Sequence, residues 1–85
     1  MTAVVQRIRE HIRVGAVFGP GPKIHPVWFD WRFRKHPVRE VTYHWRHRAG
    51  EDLILHYSVT DGTTLYELVY NASQQLWLLE SVDTE

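Results

Sequence analysis

The chain has 85 residues, of which 44% are hydrophobic and 13% aromatic, and its formal net charge is zero. That is one small domain, 1–85, with enough apolar side chains to build a core, which excludes a disordered chain. It has no cysteine, which excludes a disulfide framework, a thiolate zinc site and a cysteine nucleophile; with no apolar run near the ~20 residues of a membrane helix and no recognisable leader, the expectation is a soluble, cytoplasmic protein.

Residues 1–10 read as a lead-in or short helix, because Val4, Val5, Ile8 and Ile12 fall at helical spacing. A first strand is expected over about 11–18, where Ile12, Val14, Ala16 and Phe18 alternate with other residues. The Gly/Pro run at 19–24 then breaks regular structure. A strand meander over 25–82 follows. Its first member, about 25–33, turns Val27, Phe29, Trp31 and Phe33 to one side and Trp28, Asp30, Arg32 and Arg34 to the other. The next, about 37–47, places Val41, Tyr43 and Trp45 inward. Strands at 52–60, 63–71 and about 75–82 complete it, with Leu53, Leu55, Tyr57 and Val59 inward on the first of these.

Turn chemistry suggests the registers. Asp61-Gly62 reads as a two-residue hairpin turn that would pair Tyr57 with Tyr66, Leu55 with Leu68, and His56 with Glu67. Arg48-Ala49-Gly50 reads as a three-residue loop that would set Trp45 against Leu53, Tyr43 against Leu55, and Arg46 against Asp52. Asn71 to Gln74 makes the last turn. Around Arg34-Lys35-His36, one register pairs Trp31 with Val41; the other is a tighter turn at Arg32-Phe33, with a bulge near Arg39-Glu40. The expected fold is mainly β: a single antiparallel meander of five to six strands, curled into a small barrel or roll, or a twisted sheet covered by the N-terminal segment.

Zero net charge hides an asymmetry. Residues 1–48 carry all ten Lys and Arg against three acids, a net +7, and residues 49–85 carry seven acids and no Lys or Arg, a net −7. Either the two halves neutralise each other as neighbours, or a basic face meets an anion. Trp28, Arg32, Arg34, Lys35, His44, Arg46 and Arg48 form the candidate nucleic-acid-binding face. Cations there would follow phosphates while the exposed aromatic stacks a base. Ile54, Leu65, Val69 and Leu78 form an apolar outer patch that Val4, Val5 and Ile8, or a second copy of the chain, would cover.

Catalytic and metal chemistry find little support. His44 and His47 point to opposite faces of a strand, and His44 and His56 share a face but with His56 opposite Thr42, so no metal site and no cofactor are expected. Ser58, Ser73 and Ser81 sit in no nucleophile motif. Asp30 is expected to be balanced by Arg32 or Lys35. The chain reads as a non-enzymatic module.

The stretch Pro26-Val27-Trp28-Phe29-Asp30-Trp31-Arg32-Phe33-Arg34-Lys35-His36-Pro37-Val38-Arg39-Glu40-Val41, closed by Trp45-Arg46, resembles a family of short bacterial domains of unknown function. Their shared feature is a Phe-x-Trp-x-Gly-Arg turn, then Val-x-Glu-Val and a Trp-Arg pair. Phe33 stands where that motif has glycine. Some members are encoded beside error-prone DNA repair polymerases, so the resemblance implies a DNA-repair accessory role and no catalytic residues. The functional expectation is a binding module for nucleic acid. The alternative is a protein-interaction or dimerisation module, either a monomer or a weak homodimer.

Overall fold

The computed structural model describes residues 4–21 and 23–84. Residues 1–3 of the anticipated lead-in and Pro22 of the anticipated loop lie outside these. The described chain holds eight strands and no helix: β1 Val4–His11, β2 Val14–Phe18, β3 Ile24–Trp31, β4 Arg34–Pro37, β5 Glu40–Ala49, β6 Asp52–Thr60, β7 Leu65–Asn71 and β8 Leu76–Thr84. They form two antiparallel sheets, one of five strands in the order β1-β8-β7-β6-β5 and one of three in the order β2-β3-β4. This replaces the expected single meander. The sheets stack as layers and neither closes, so there is no small barrel among the described residues.

One face of the larger sheet supplies most of the core. Leu55, Tyr57 and Val59 on β6, Tyr66, Leu68 and Tyr70 on β7, and Trp77, Leu79 and Val82 on β8 are all buried. Alternation along β6 and β7 sends these residues to the same side, and on β8 a bulge at Glu80 returns Val82 to the face of Trp77 and Leu79. The smaller sheet lies over them and inserts Phe29, which is fully buried. The Phe29 ring meets Tyr66 edge-on at 4.9 Å and stacks on His36 at 5.0 Å. A Phe buried this completely contributes roughly 2–3 kcal/mol through removal of apolar area from water.

The N-terminal segment is a strand, not a helix. Val4 pairs with Thr84 and His11 with Leu78, so β1 extends the sheet at the β8 edge rather than covering its outer face. Val4 and Val5 stay exposed. Backbone pairing along an open edge outweighs a helical pattern of about two turns, which is too short to be stable alone. The ladder is interrupted between Arg7 and Glu10, and Arg9 adopts φ +54° there. This bulge brings Arg7 and Arg9 to Glu80 at 3.4 and 3.3 Å.

Two registers differ from expectation. β6 and β7 pair Tyr57 with Leu68, Leu55 with Tyr70 and His56 with Val69. Asp61 to Thr64 form a longer loop because the Asp61 carboxylate accepts the Thr63 and Thr64 N–H groups. The slip is two residues, so the inward set is preserved. The β5–β6 turn instead closes on Ala49 opposite Asp52, one residue tighter than expected, with Gly50 at φ +64°. The partners move by three residues, from Leu53 to His56 opposite Trp45, and an odd slip reverses the faces. Tyr43 and Trp45 therefore point outward, opposite Ser58 and His56, while His44 and Arg46 point inward, opposite Tyr57 and Leu55. A bulge at Thr42 returns Val41 to the inner face opposite Val59.

Trp31 pairs with Arg34, so the tighter of the two hairpins considered is the one formed. Arg32 and Phe33 are its central residues, at φ +53° and +60°. The break after Pro37 is a crossover and not a bulge. Val38 N–H donates to Val27 in the small sheet, and Arg39 N–H donates to Thr60 in the large one.

Candidate functional site

The anticipated basic face divides between the two sheets. Trp28, Arg32, Arg34 and Lys35 belong to the β3–β4 hairpin, and His44, Arg46 and Arg48 belong to the edge strand β5. Arg32, Arg34 and Lys35 line one concavity and His44 and Arg46 another, while Trp28 and Arg48 line neither.

Trp28 is not a free stacking platform. Its indole lies directly against the backbone of Gly15, where a Cβ would collide with the ring. The Lys35 ammonium sits 4.4 Å from the ring centroid and the Arg13 guanidinium 5.5 Å from it. Glycine at position 15 is what allows this approach, and the bulge at Val27 aims the ring there. Arg13 also binds the Asp30 carboxylate at 2.6 Å. Asp30 is thus balanced from the β1–β2 corner and not by Arg32 or Lys35.

The hairpin tip carries the exposed aromatic instead. Phe33 projects fully into solvent, with a relative exposure of 110%. It is flanked by Arg32 and Arg34, with Lys35 next along. Arg32 stacks on Trp31 at 4.3 Å, which holds one guanidinium beside the tip. None of Arg32, Arg34 and Lys35 meets a carboxylate within 4 Å among the described residues, where the ion pairs are those of Arg7, Arg9 and Arg13. An open groove of about 560 Å3 runs beside the tip and is bounded by His11, Arg13, Trp31, Arg32 and Arg34.

A left-handed backbone at a bulky exposed residue costs roughly 1–2 kcal/mol. Such strain persists only where neighbouring structure enforces it, and it concentrates at functional sites. Composition could not locate this feature. Phe33 is an inward strand residue in one of the two hairpins the sequence allows and a turn residue in the one that forms.

The second concavity is a cleft of about 900 Å3 between the β2–β3 end of the small sheet and the inner face of β5. Val41, Leu55 and Tyr57 line it together with Lys23, His25, His44 and Arg46. Lys23 and His25 were not anticipated as site residues. They reach this cleft because β2 and β3 fold back over β5.

On the outer face of the large sheet, Ile54, Val69 and Leu78 are half-buried and Leu65 is exposed. Val69 lies between His56 and Leu78 in the ladder, so these side chains adjoin. His56 has His44 on the opposite face and Trp45 as its partner, not Thr42. Burial lowers its pKa, the neighbouring His47 lowers it further, and Glu80 partly opposes both. Glu67 on this face is pushed up by burial and by Glu80, against the pull of Arg7.

No helix of the described chain is long and apolar enough to cross a membrane. The chain matches no family model, no curated protein and no solved structure.

Proposed function

We propose that this chain is a non-enzymatic module that binds single-stranded nucleic acid through the β3–β4 hairpin tip. The observation that carries the reading is Phe33, fully exposed on a left-handed turn between cations that have no carboxylate partner among the described residues. Arg32, Arg34 and Lys35 would neutralise phosphates while the Phe33 ring stacks a base. Stacking of this kind is worth about 1–3 kcal/mol, roughly 5- to 150-fold in Kd. Trp28 serves as the packed base of the hairpin and not as the stacking ring. The role agrees with the DNA-repair association implied by the motif at 26–46.

The test is a fluorescence titration with a labelled single-stranded oligonucleotide at low and moderate salt. Phe33→Ala should weaken binding at both, and Arg34→Glu should flatten the salt dependence, since each phosphate contact adds to the slope. Equal affinity of Phe33→Ala and the parent chain would reject the reading.

A second reading rests on β5. It is a ten-residue edge strand with Tyr43 and Trp45 exposed on its outward side. An open edge of that length can accept a strand from a partner protein or a second copy. A concentration-dependent mass that Trp45→Lys abolishes would support it, and a monomer at all concentrations that captures no strand would not.

A further inference from the structure

We infer that His47 and His56 form a two-imidazole site for a divalent transition-metal ion on the outer face of the large sheet. Their Nε2 atoms lie 3.1 Å apart. Two imidazoles bound to one metal at about 2.0–2.1 Å hold their nitrogens roughly 2.9 Å apart at a right angle and roughly 3.4 Å apart at the tetrahedral angle. The observed separation falls between these limits. The residues are diagonal neighbours, since His47 pairs with Ile54 and His56 with Trp45.

The pair is also held in place. Trp45 stacks on His56 at 3.8 Å with the rings within 3° of parallel, and it lies 5.1 Å from His47. The indole therefore fixes one ligand and walls the other, which reduces the ordering cost of chelation. His47 is exposed, so its ring can rotate to aim its lone pair at a shared ion.

Without metal, one ring must donate its Nε2–H to the other. When a metal binds, the donating ring moves its proton to Nδ1 and both Nε2 lone pairs go to the ion. A cationic pair releases one proton to solvent in the same step. Imidazole donors select Cu2+, Ni2+ or Zn2+, with Cu2+ held most tightly. Among the described residues no third His, Asp or Glu joins the pair, so water completes the coordination. The Nδ1 of His56 is buried with no acceptor behind it, so nothing raises the ligand's basicity. Affinity should accordingly fall well short of that of a closed, four-ligand structural zinc site.

The test is a titration of the full 15N-labelled chain with Zn2+, followed through the imidazole nitrogens. At one equivalent, the His47 and His56 signals should move first, both reaching the Nδ1–H tautomer, with His11, His25, His36 and His44 unchanged. His47→Gln removes one ligand and leaves the Trp45–His56 stack, so the fold persists; it should weaken binding about tenfold or more. Zn2+ should raise the Tm of the parent chain and not that of His47→Gln. Signals moving equally at all six histidines, or parental affinity in His47→Gln, would overturn the assignment.

Discussion

Replacing Phe33 with glycine should stabilise the fold and weaken nucleic-acid binding at once. Phe33 sits at φ +60° with its side chain wholly exposed. The left-handed backbone costs an L-residue roughly 1–2 kcal/mol, and glycine adopts it freely. Glycine also gives the unfolded chain more freedom, which offsets about 0.5–1 kcal/mol of the gain. No packing is lost, because the ring touches solvent on every side. The net expectation is about 0.5–1 kcal/mol of added stability, or roughly 2–8 °C in Tm for a domain of this size. Thermal and urea unfolding of the parent chain, Phe33→Gly and Phe33→Ala measure it. Phe33→Ala keeps the Cβ and hence the strain, so its stability should match the parent. Both variants lack the ring and should bind the oligonucleotide more weakly. An unchanged or lower Tm for Phe33→Gly would refute the strain argument. Parental binding by either variant would refute the functional one.

Gly15→Ala should destabilise the small sheet by about 1–3 kcal/mol, since the new methyl displaces the Trp28 indole; a red shift of tryptophan emission would accompany the lowered urea midpoint. Phe29→Ala should cost about 3–5 kcal/mol, because it empties the contact between the two sheets; amide exchange should accelerate in β2–β4 before β6–β8. His56 has a folded pKa depressed below its ordinary 6.5 by burial and by His47. The unfolded chain therefore binds the proton more readily, so the His56 contribution is present above about pH 6.5 and is lost as pH falls toward the folded pKa. His56→Gln should reduce the drop in urea midpoint between pH 7.5 and pH 5, and an unaltered drop would count against a half-buried ring held neutral.

The alternation of apolar residues along 52–60 and 63–71 was enough to mark β6 and β7 and their inward faces, and 75–82 was marked as a strand, though its bulge at Glu80 was not. Those faces are tolerant of error in the turn, since the two-residue slip at Asp61 leaves parity intact. β5 was not legible. A turn one residue tighter than the Arg48-Ala49-Gly50 pattern suggests shifted the partners by three residues and reversed its faces. That single step moved Trp45 outward onto His56 and carried His44 and Arg46 into the cleft. The basic residues of the β3–β4 hairpin were visible as charge, but Phe33 as the exposed ring depended on which of two registers formed. The placement of β1 was decided only in three dimensions. A short segment with helical spacing has no intrinsic stability to defend, and the open edge of β8 offered it a row of backbone hydrogen bonds broken only at the Arg7–Glu10 bulge. Sequence alone determined the type of structure and the part of the core that β6 and β7 supply, but not the inward residues of β3 and β5, where Val27, Phe33, Tyr43 and Trp45 are exposed. Tertiary pairing decided which side chains meet, because pairing partners in a sheet are chosen by whole ladders and not by local preference.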